Sequence, residues 1–130
     1  MNYKKQLWEK ISTRTTKLSA EEIKLRMIQR LIDEFNMACS LFSETMFQIT
    51  GEPQPTAQDG DPNKNVFHLE GHKIEISLDE KTGTIHLAHN QNMTETFEVD
   101  LVSQRIVPRV DEDFDGDVSD YVAKMLVSIL

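Results

Sequence analysis

Apolar side chains recur every three or four positions through the first part of the chain, which is the period of a helix that buries one stripe. The stripe runs Leu25, Ile28, Ile32, Phe35, Cys39, Phe42, Met46 and Ile49. Ser19 lies just before it and Glu22 follows three residues later, a spacing typical of a capping box at a helix start. The pattern predicts one long helix over residues 19–49. Its width favours packing against a sheet, and its unbroken heptad spacing leaves a homodimer through this long helix as an open alternative.

Shorter segments with the same period lie on either side of the central region. Residues 3–12 predict a short helix that buries Tyr3, Leu7, Trp8 and Ile11, followed by a linker up to residue 18. Apolar positions again recur at helical spacing after Asp117, which is a good N-cap. These positions are Val118, Tyr121, Val122, Met125, Leu126 and Ile129. Residues 111–130 are therefore predicted to form an acidic loop and a C-terminal helix.

Between the helical segments the period changes to two. A segment rich in Pro, Gly and Asp at 50–65 has the composition of a mobile loop. Residues 66–110 then alternate apolar and polar positions, and turn residues divide them into five strands. A turn at Gly71-His72 would set His68 opposite Glu75 and place five apolar side chains on one face. These side chains are Phe67, Leu69, Ile74, Ile76 and Leu78.

The last two strands continue the same alternation. A turn near residues 103–104 would set Leu101 opposite Ile106 and Glu98 opposite Arg109. Pro108 cannot donate to a ladder, so the fifth strand is expected at an edge of the sheet. The sequence thus predicts one α+β domain over residues 1–130. A long N-terminal helix, preceded by a short helix, and a C-terminal helix should pack on one face of a five-stranded antiparallel meander.

The net charge of the chain indicates which classes of molecule it can bind. The chain has 130 residues with 14 Lys and Arg against 22 Asp and Glu, a net charge of −8. The first thirty residues hold eight basic and three acidic side chains, a local charge of +5, so the remaining hundred carry −13. A net charge of this sign argues against general affinity for nucleic acid or an anionic membrane, and it favours a basic protein partner.

Cysteine content and hydropathy bear on the compartment. Cys39 is the one cysteine, so an internal disulfide is excluded, and its place on the apolar stripe indicates a buried thiol. The first residues are charged throughout and lack the apolar core of a secretory signal. No apolar run in the sequence approaches the length of a bilayer span. We therefore expect a cytoplasmic protein.

The densest charge lies in the segment D-E-D-F-D-G-D-V-S-D-Y, which starts at residue 111. Its D-x-D-x-D-G pattern resembles the calcium loop of EF-hand and dockerin proteins. The resemblance implies that Asp111, Asp113 and Asp115 are side-chain ligands, and that Asp117 is a ligand through its backbone carbonyl. The segment departs from the family pattern at the twelfth position, where Val122 replaces the bidentate glutamate. Calcium is the cofactor candidate here, and the alternative interpretation is a charged helix start.

The sequence contains no recognisable catalytic motif. His68 with Glu75 is the only acid–base pair that the predicted register brings together, and no nucleophile or oxyanion donor accompanies it. We therefore expect a non-catalytic protein-binding module (an inhibitor, an immunity-like protein or a chaperone-like adaptor) that acts on a basic partner. Its candidate contact residues are Glu112, Asp120, Glu98 and Asp100. The alternatives are a calcium-binding module, and a small enzyme or ligand binder with a pocket between the long helix and the sheet.

Overall fold

The computed structural model describes residues 2–14, 19–52 and 61–130. The helices are α1 (Tyr3–Arg14), α2 (Ala20–Thr50) and α3 (Val118–Ile129). The strands are β1 (Lys64–Leu69), β2 (His72–Asp79), β3 (Thr84–His89), β4 (Asn92–Asp100) and β5 (Arg105–Pro108). This order is the one predicted from the periodicity. Of the mobile loop predicted at 50–65, residues 53–60 lie outside the described residues, whereas Thr50 ends α2 and Lys64 begins β1. In the described ranges, no helix is both long and apolar enough to cross a bilayer.

The strands form one antiparallel sheet in the order β1-β2-β3-β4-β5, so β5 with Pro108 is an edge strand as predicted. One face of this sheet is apolar and carries the five side chains expected on it, all of them buried. Helices α2 and α3 pack against each other and cover this face. The ring centroids of Phe42 on α2 and Phe67 on β1 are 4.1 Å apart. Those of Tyr121 on α3 and Phe97 on β4 are 5.7 Å apart, in an edge-to-face arrangement. The predicted fold class is therefore confirmed.

The first hairpin turns one residue earlier than predicted. Its turn lies at Glu70-Gly71, where both residues have positive φ (48° and 84°), the requirement of a type I′ turn that matches the twist of the strands. His68 consequently pairs with Lys73, and Glu75 pairs with Val66. The predicted His68–Glu75 pair was wrong. The partner strand slips by two residues, and a two-residue slip leaves every side chain on its predicted face.

The hairpin between β4 and β5 slips in the same way. Asp100 pairs with Arg105, and Ile106 lies opposite Val99 instead of the predicted Leu101. The turn is held by Asp100, whose carboxylate accepts hydrogen bonds from the Val102 amide (3.0 Å) and the Ser103 hydroxyl (2.9 Å). Such local side-chain bonds to the next residues are a common way in which aspartate sets a turn.

The long stripe on α2 is buried at its centre and exposed at its ends. Phe35, Cys39, Phe42 and Met46 are buried as predicted, whereas Leu25 and Ile49 are exposed. The 31 residues of α2 extend about 46 Å, while the nine-residue β4 extends roughly 30 Å. The helix is therefore longer than the sheet it covers, and its ends have no sheet to pack on.

Helix α1 forms over the predicted residues but does not bury the predicted side chains. Tyr3, Leu7, Trp8 and Ile11 are all exposed, and none belongs to the hydrophobic core of the described residues. The prediction was wrong because α2 and α3 already occupy the single apolar face of the sheet. The outward apolar side chains of α1 are thus exposed to solvent.

Candidate functional site

The most strongly charged described surface is the connection between β5 and α3, here called the acidic loop (residues 109–117). It carries five carboxylates against one cation, Arg109. Four of the carboxylates are exposed, and that of Asp111 is partly exposed. The five are Asp111, Glu112, Asp113, Asp115 and Asp117. Because like charges repel, a loop of this composition keeps one conformation only if other contacts hold it.

The principal contact is the side chain of Glu95 on β4, which is fully buried. Its Oε1 accepts hydrogen bonds from the amides of Arg109 (2.9 Å) and Val110 (2.7 Å), and also from that of Thr96 (2.8 Å). Its Oε2 accepts from the amide of Asp111 at 2.8 Å. Three successive backbone N–H groups thus converge on one carboxylate, the arrangement of an anion-binding nest.

These bonds explain how a carboxylate can lie in the core. A buried carboxylate without partners costs several kcal/mol, whereas hydrogen bonds to a charged acceptor each contribute about 1.5–3 kcal/mol. Glu95 has four such donors, all from the backbone. It therefore ties the start of the acidic loop to the centre of the sheet.

Sequence reasoning missed Glu95, although the alternation contained a signal for it. Glu95 lies two residues before Phe97, so it shares the inward face of β4. A β-bulge at Thr94 of β4 accompanies it, because Leu87 lies opposite Glu95 and Ala88 lies opposite Met93. A charged residue at an inward position indicates a buried polar network, but the sequence does not identify the backbone amides that donate hydrogen bonds to it.

The other end of the loop is held by the start of α3. The Asp117 carboxylate accepts from the Asp120 amide, and the Asp120 carboxylate accepts from the Asp117 amide, each at 2.9 Å, which completes a capping box. Glu34 of α2 faces the same helix start, with Oε1 3.5 Å from the Val118 amide. Burial raises the pKa of the Glu34 carboxyl, against the effects of the Val118 amide and Arg30.

The middle of the loop is anchored by an aromatic side chain. Phe114 meets the edges of Tyr121 at 5.2 Å and of Phe97 at 6.5 Å. Lys124 lies over the rings of Phe114 and Tyr121 at 5.6 and 5.5 Å and pairs with Asp111 at 3.3 Å. Burial, and then the charge of Glu95, raise the pKa of the Tyr121 hydroxyl. The acidic loop is therefore fixed at its start, middle and end.

The structure does not gather the predicted calcium ligands into a cage. Over the described residues, which include the whole acidic loop, no three His, Cys, Asp or Glu side chains lie where they could hold a metal ion. The Asp117 carboxylate caps α3, and that of Asp111 pairs with Lys124. Calcium needs six or more oxygen ligands, so binding would require these two side chains to exchange their present partners. Calcium binding through Asp111, Asp113, Asp115 and Asp117 stays a prediction.

The four predicted partner-contact residues divide between two places. Glu112 is exposed in the acidic loop, and Asp120 is exposed beside it although it serves the capping box. Glu98 reaches the same end of β5 through its ion pair with Arg109. Asp100 lies at the opposite end of β5, where the Ser103 hydroxyl and the Val102 amide lower the pKa of its carboxyl. Only the first three therefore adjoin the acidic loop.

Two small cavities lie where helices meet the sheet, and the second of them adjoins the acidic loop. One, of about 190 Å³, lies between α3 and strands β3 and β4. It is lined by His89, Thr94, Tyr121, Lys124, Met125, Ser128 and Ile129. The other, of about 180 Å³, lies between α2, β5 and the acidic loop, and is lined by Arg30, Glu34, Arg105, Ile106, Asp115, Gly116 and Asp117. Both are smaller than the roughly 300–1,000 Å³ typical of ligand pockets, and the second is the one that lies between α2 and a strand of the sheet.

The histidines do not add a second site. His72 Nδ1 and His89 Nε2 lie 2.8 Å apart and share a hydrogen bond at one end of the sheet. His86 bonds the hydroxyls of Thr84 and Thr96, and His68 is exposed. Among the described residues no third ligand joins the His72–His89 pair to make a metal centre.

The acidic loop thus combines exposed charge with a backbone fixed from three sides. No protein-family model, curated protein or solved structure that was compared with the chain matches it.

Proposed function

We propose that this protein is a non-catalytic protein-binding module, of the inhibitor, immunity-like or adaptor kind, which presents the acidic loop to a basic protein surface. The observation that carries this proposal is the bonding of Glu95 to three successive amides of the loop, those of Arg109, Val110 and Asp111. A buried anchor of this kind holds a backbone in place while the side chains around it stay in solvent.

Rigidity of the loop favours binding because ordering a flexible segment opposes association, at about 0.5–1.5 kcal/mol for each immobilised side chain. The exposed carboxylates of Glu112, Asp113 and Asp115 repel one another in the free protein. A basic surface relieves that repulsion, and complementary charge also speeds the diffusional encounter. The loop is therefore suited to a partner that carries clustered Lys or Arg.

The rest of the molecule supports a protein partner over other classes. A net charge of −8 disfavours nucleic acid and anionic lipid, since both are themselves negatively charged. The two cavities are too small for most organic ligands, which weakens the alternative of an enzyme or ligand binder.

Affinity capture with matched variants tests this proposal. The test variant combines Glu112→Gln, Asp113→Asn and Asp115→Asn, which removes three exposed charges while keeping the Glu95 bonds and the capping box. The control removes the same number of exposed charges on other elements by Glu44→Gln, Glu52→Gln and Glu80→Gln. Proteins retained by the wild type and the control should be lost with the test variant.

Salt supplies a second criterion. Raising NaCl from about 0.15 M to about 1 M shortens the Debye length from about 8 Å to about 3 Å, so retention through the loop should fall steeply. If the test variant retains the same proteins as the control, or if retention is insensitive to salt, the acidic loop is not the binding surface.

A further inference from the structure

Helix α1 exposes large apolar side chains. Tyr3, Leu7 and Trp8 are 71%, 58% and 51% exposed. Tyr3 and Leu7 are four residues apart and share one side of the helix, and Trp8 follows Leu7 about 100° further round it. Scattered apolar side chains are common on protein surfaces, but three large ones within six positions of a 12-residue helix give it an apolar patch.

The charge of α1 is opposite to that of the rest of the protein. Residues 2–14 contain Lys4, Lys5, Lys10 and Arg14 against the single acid Glu9. The acidic loop carries five carboxylates against one arginine and also exposes an apolar side chain, Val110, to 68%. The two surfaces are therefore complementary in charge, and each offers apolar area to the other.

We propose that α1 of one copy of this chain docks on the acidic loop of a second copy, and that the second copy returns the contact, so that the protein forms a two-fold symmetric dimer. This inference rests on the proposed function, because it names the basic partner of the acidic loop as the α1 helix of another copy. Lys4 and Lys5 face Glu112 and Asp113, while Leu7 and Trp8 cover Val110.

A second copy fits these observations better than a membrane or the same copy. An anionic membrane offers no basic surface to the acidic loop, whereas a second copy offers both a basic α1 to the loop and an acidic loop to α1. Within one copy, the patch of α1 is exposed and not docked on its own acidic loop. A symmetric dimer makes the contact twice, which doubles the area that one helix about 18 Å long can bury, toward the roughly 1,200 Å² at the lower end of stable interfaces.

Charge reversal in two separate chains tests the contact. The first variant reverses α1 by Lys4→Glu and Lys5→Glu, and the second reverses the loop by Glu112→Lys and Asp113→Lys. The control, Lys24→Glu with Lys81→Glu, makes the same charge change as the first variant at exposed positions on α2 and in the β2–β3 turn. Each full-length chain is purified, its helix and strand content is checked by circular dichroism, and its mass is measured by light scattering after gel filtration.

The wild type and the control should have twice the 15.0 kDa mass of one chain. Each reversed variant alone should be monomeric, with a dissociation constant raised about tenfold or more by like charges facing each other. An equal mixture of the two variants should recover the dimer, because each α1 then meets a loop of opposite charge. Trp8 is the single tryptophan, so its emission should shift to the blue as the wild-type concentration rises.

Three results would overturn the dimer. The wild type could stay monomeric at high protein concentration, or both reversed variants could stay dimeric. In the third result, each reversal alone abolishes the dimer, but the equal mixture of the two variants stays monomeric. Blue-shifted Trp8 emission in a monomer would place α1 on its own body instead. If the wild type is monomeric but other proteins are still retained through the acidic loop, the dimer fails and the proposed function stands.

Discussion

Replacing Glu95 by glutamine tests the anchor of the acidic loop with little change of shape. In its better orientation the glutamine carbonyl oxygen keeps the bonds from Thr96, Arg109 and Val110, since all three reach the same oxygen of the glutamate. The amide nitrogen then faces the Asp111 N–H, which has lost its acceptor at 2.8 Å. Two hydrogen-bond donors, the glutamine side-chain amide and the Asp111 backbone N–H, therefore face each other in a buried position.

The size of the effect follows from these bonds. A buried donor left unsatisfied costs about 1–3 kcal/mol, and bonds to a neutral acceptor contribute about half as much as bonds to a carboxylate. The smaller cost of burying a neutral side chain offsets part of the loss. We expect Glu95→Gln to lower the free energy of unfolding by about 3 kcal/mol, a large fraction of the 5–15 kcal/mol typical of domains.

Urea unfolding followed by far-ultraviolet circular dichroism measures this change; Trp8 fluorescence is unsuitable because Trp8 lies outside the core. Hydrogen exchange of the amides of residues 109–111 reports the anchor directly and should accelerate in the variant. The control is Glu98→Gln on the same strand, whose exposed pair with Arg109 should contribute under about 1 kcal/mol. If Glu95→Gln and Glu98→Gln are equally stable, and if hydrogen exchange at residues 109–111 is unchanged, Glu95 does not anchor the acidic loop.

Four further outcomes are expected. Because burial raises the pKa of Glu34, the stability that this one carboxyl contributes is full below the ordinary value of 4.5 and is lost as pH rises through the raised value. Glu34→Gln should therefore be more stable than wild type at pH 7 and lose that advantage near pH 4, in urea titrations at the two pH values. Gly116→Ala would place a methyl group 2.9 Å from the Asp120 side chain, so it should disturb the capping box and cost about 1–2 kcal/mol in thermal unfolding. In a calorimetric titration with calcium to millimolar concentration, heat that Asp113→Ala abolishes would support the calcium alternative, and a flat titration would refute it. Burial raises the pKa of Cys39 to about 12, so its thiol should resist alkylation at pH 8 until the protein is unfolded.

The spacing of apolar residues in the sequence determined which segments form helices or strands and which face each of them buries. Helical and strand periods are local properties, and both follow from where successive side chains point. Phe42 and Phe67 could therefore be assigned to one core before any contact between them was known. The N-cap at Asp117 was equally local, because its partner Asp120 lies three residues away.

The same pattern determined the face on which each strand side chain lies, but it did not determine which residue lies opposite on the neighbouring strand. Alternation distinguishes slips of one residue, which would bury polar side chains, but it cannot distinguish slips of two. His68 was therefore assigned to the correct face and to the wrong partner, Glu75 in place of Lys73. The energy of the turn decided between these registers, and the Glu70-Gly71 turn has the twist that the strands need.

Two features depended on the tertiary structure. The apolar side chains of α1 resemble those of a buried helix, and their exposure follows from the finite area of one sheet face already covered by α2 and α3. The inward position of Glu95 could be read from its spacing to Phe97, but its partners come from residues fourteen to sixteen positions further along. Such distant groups meet only once the chain is folded, because competition for a shared surface and contacts between remote segments leave no local periodic signal.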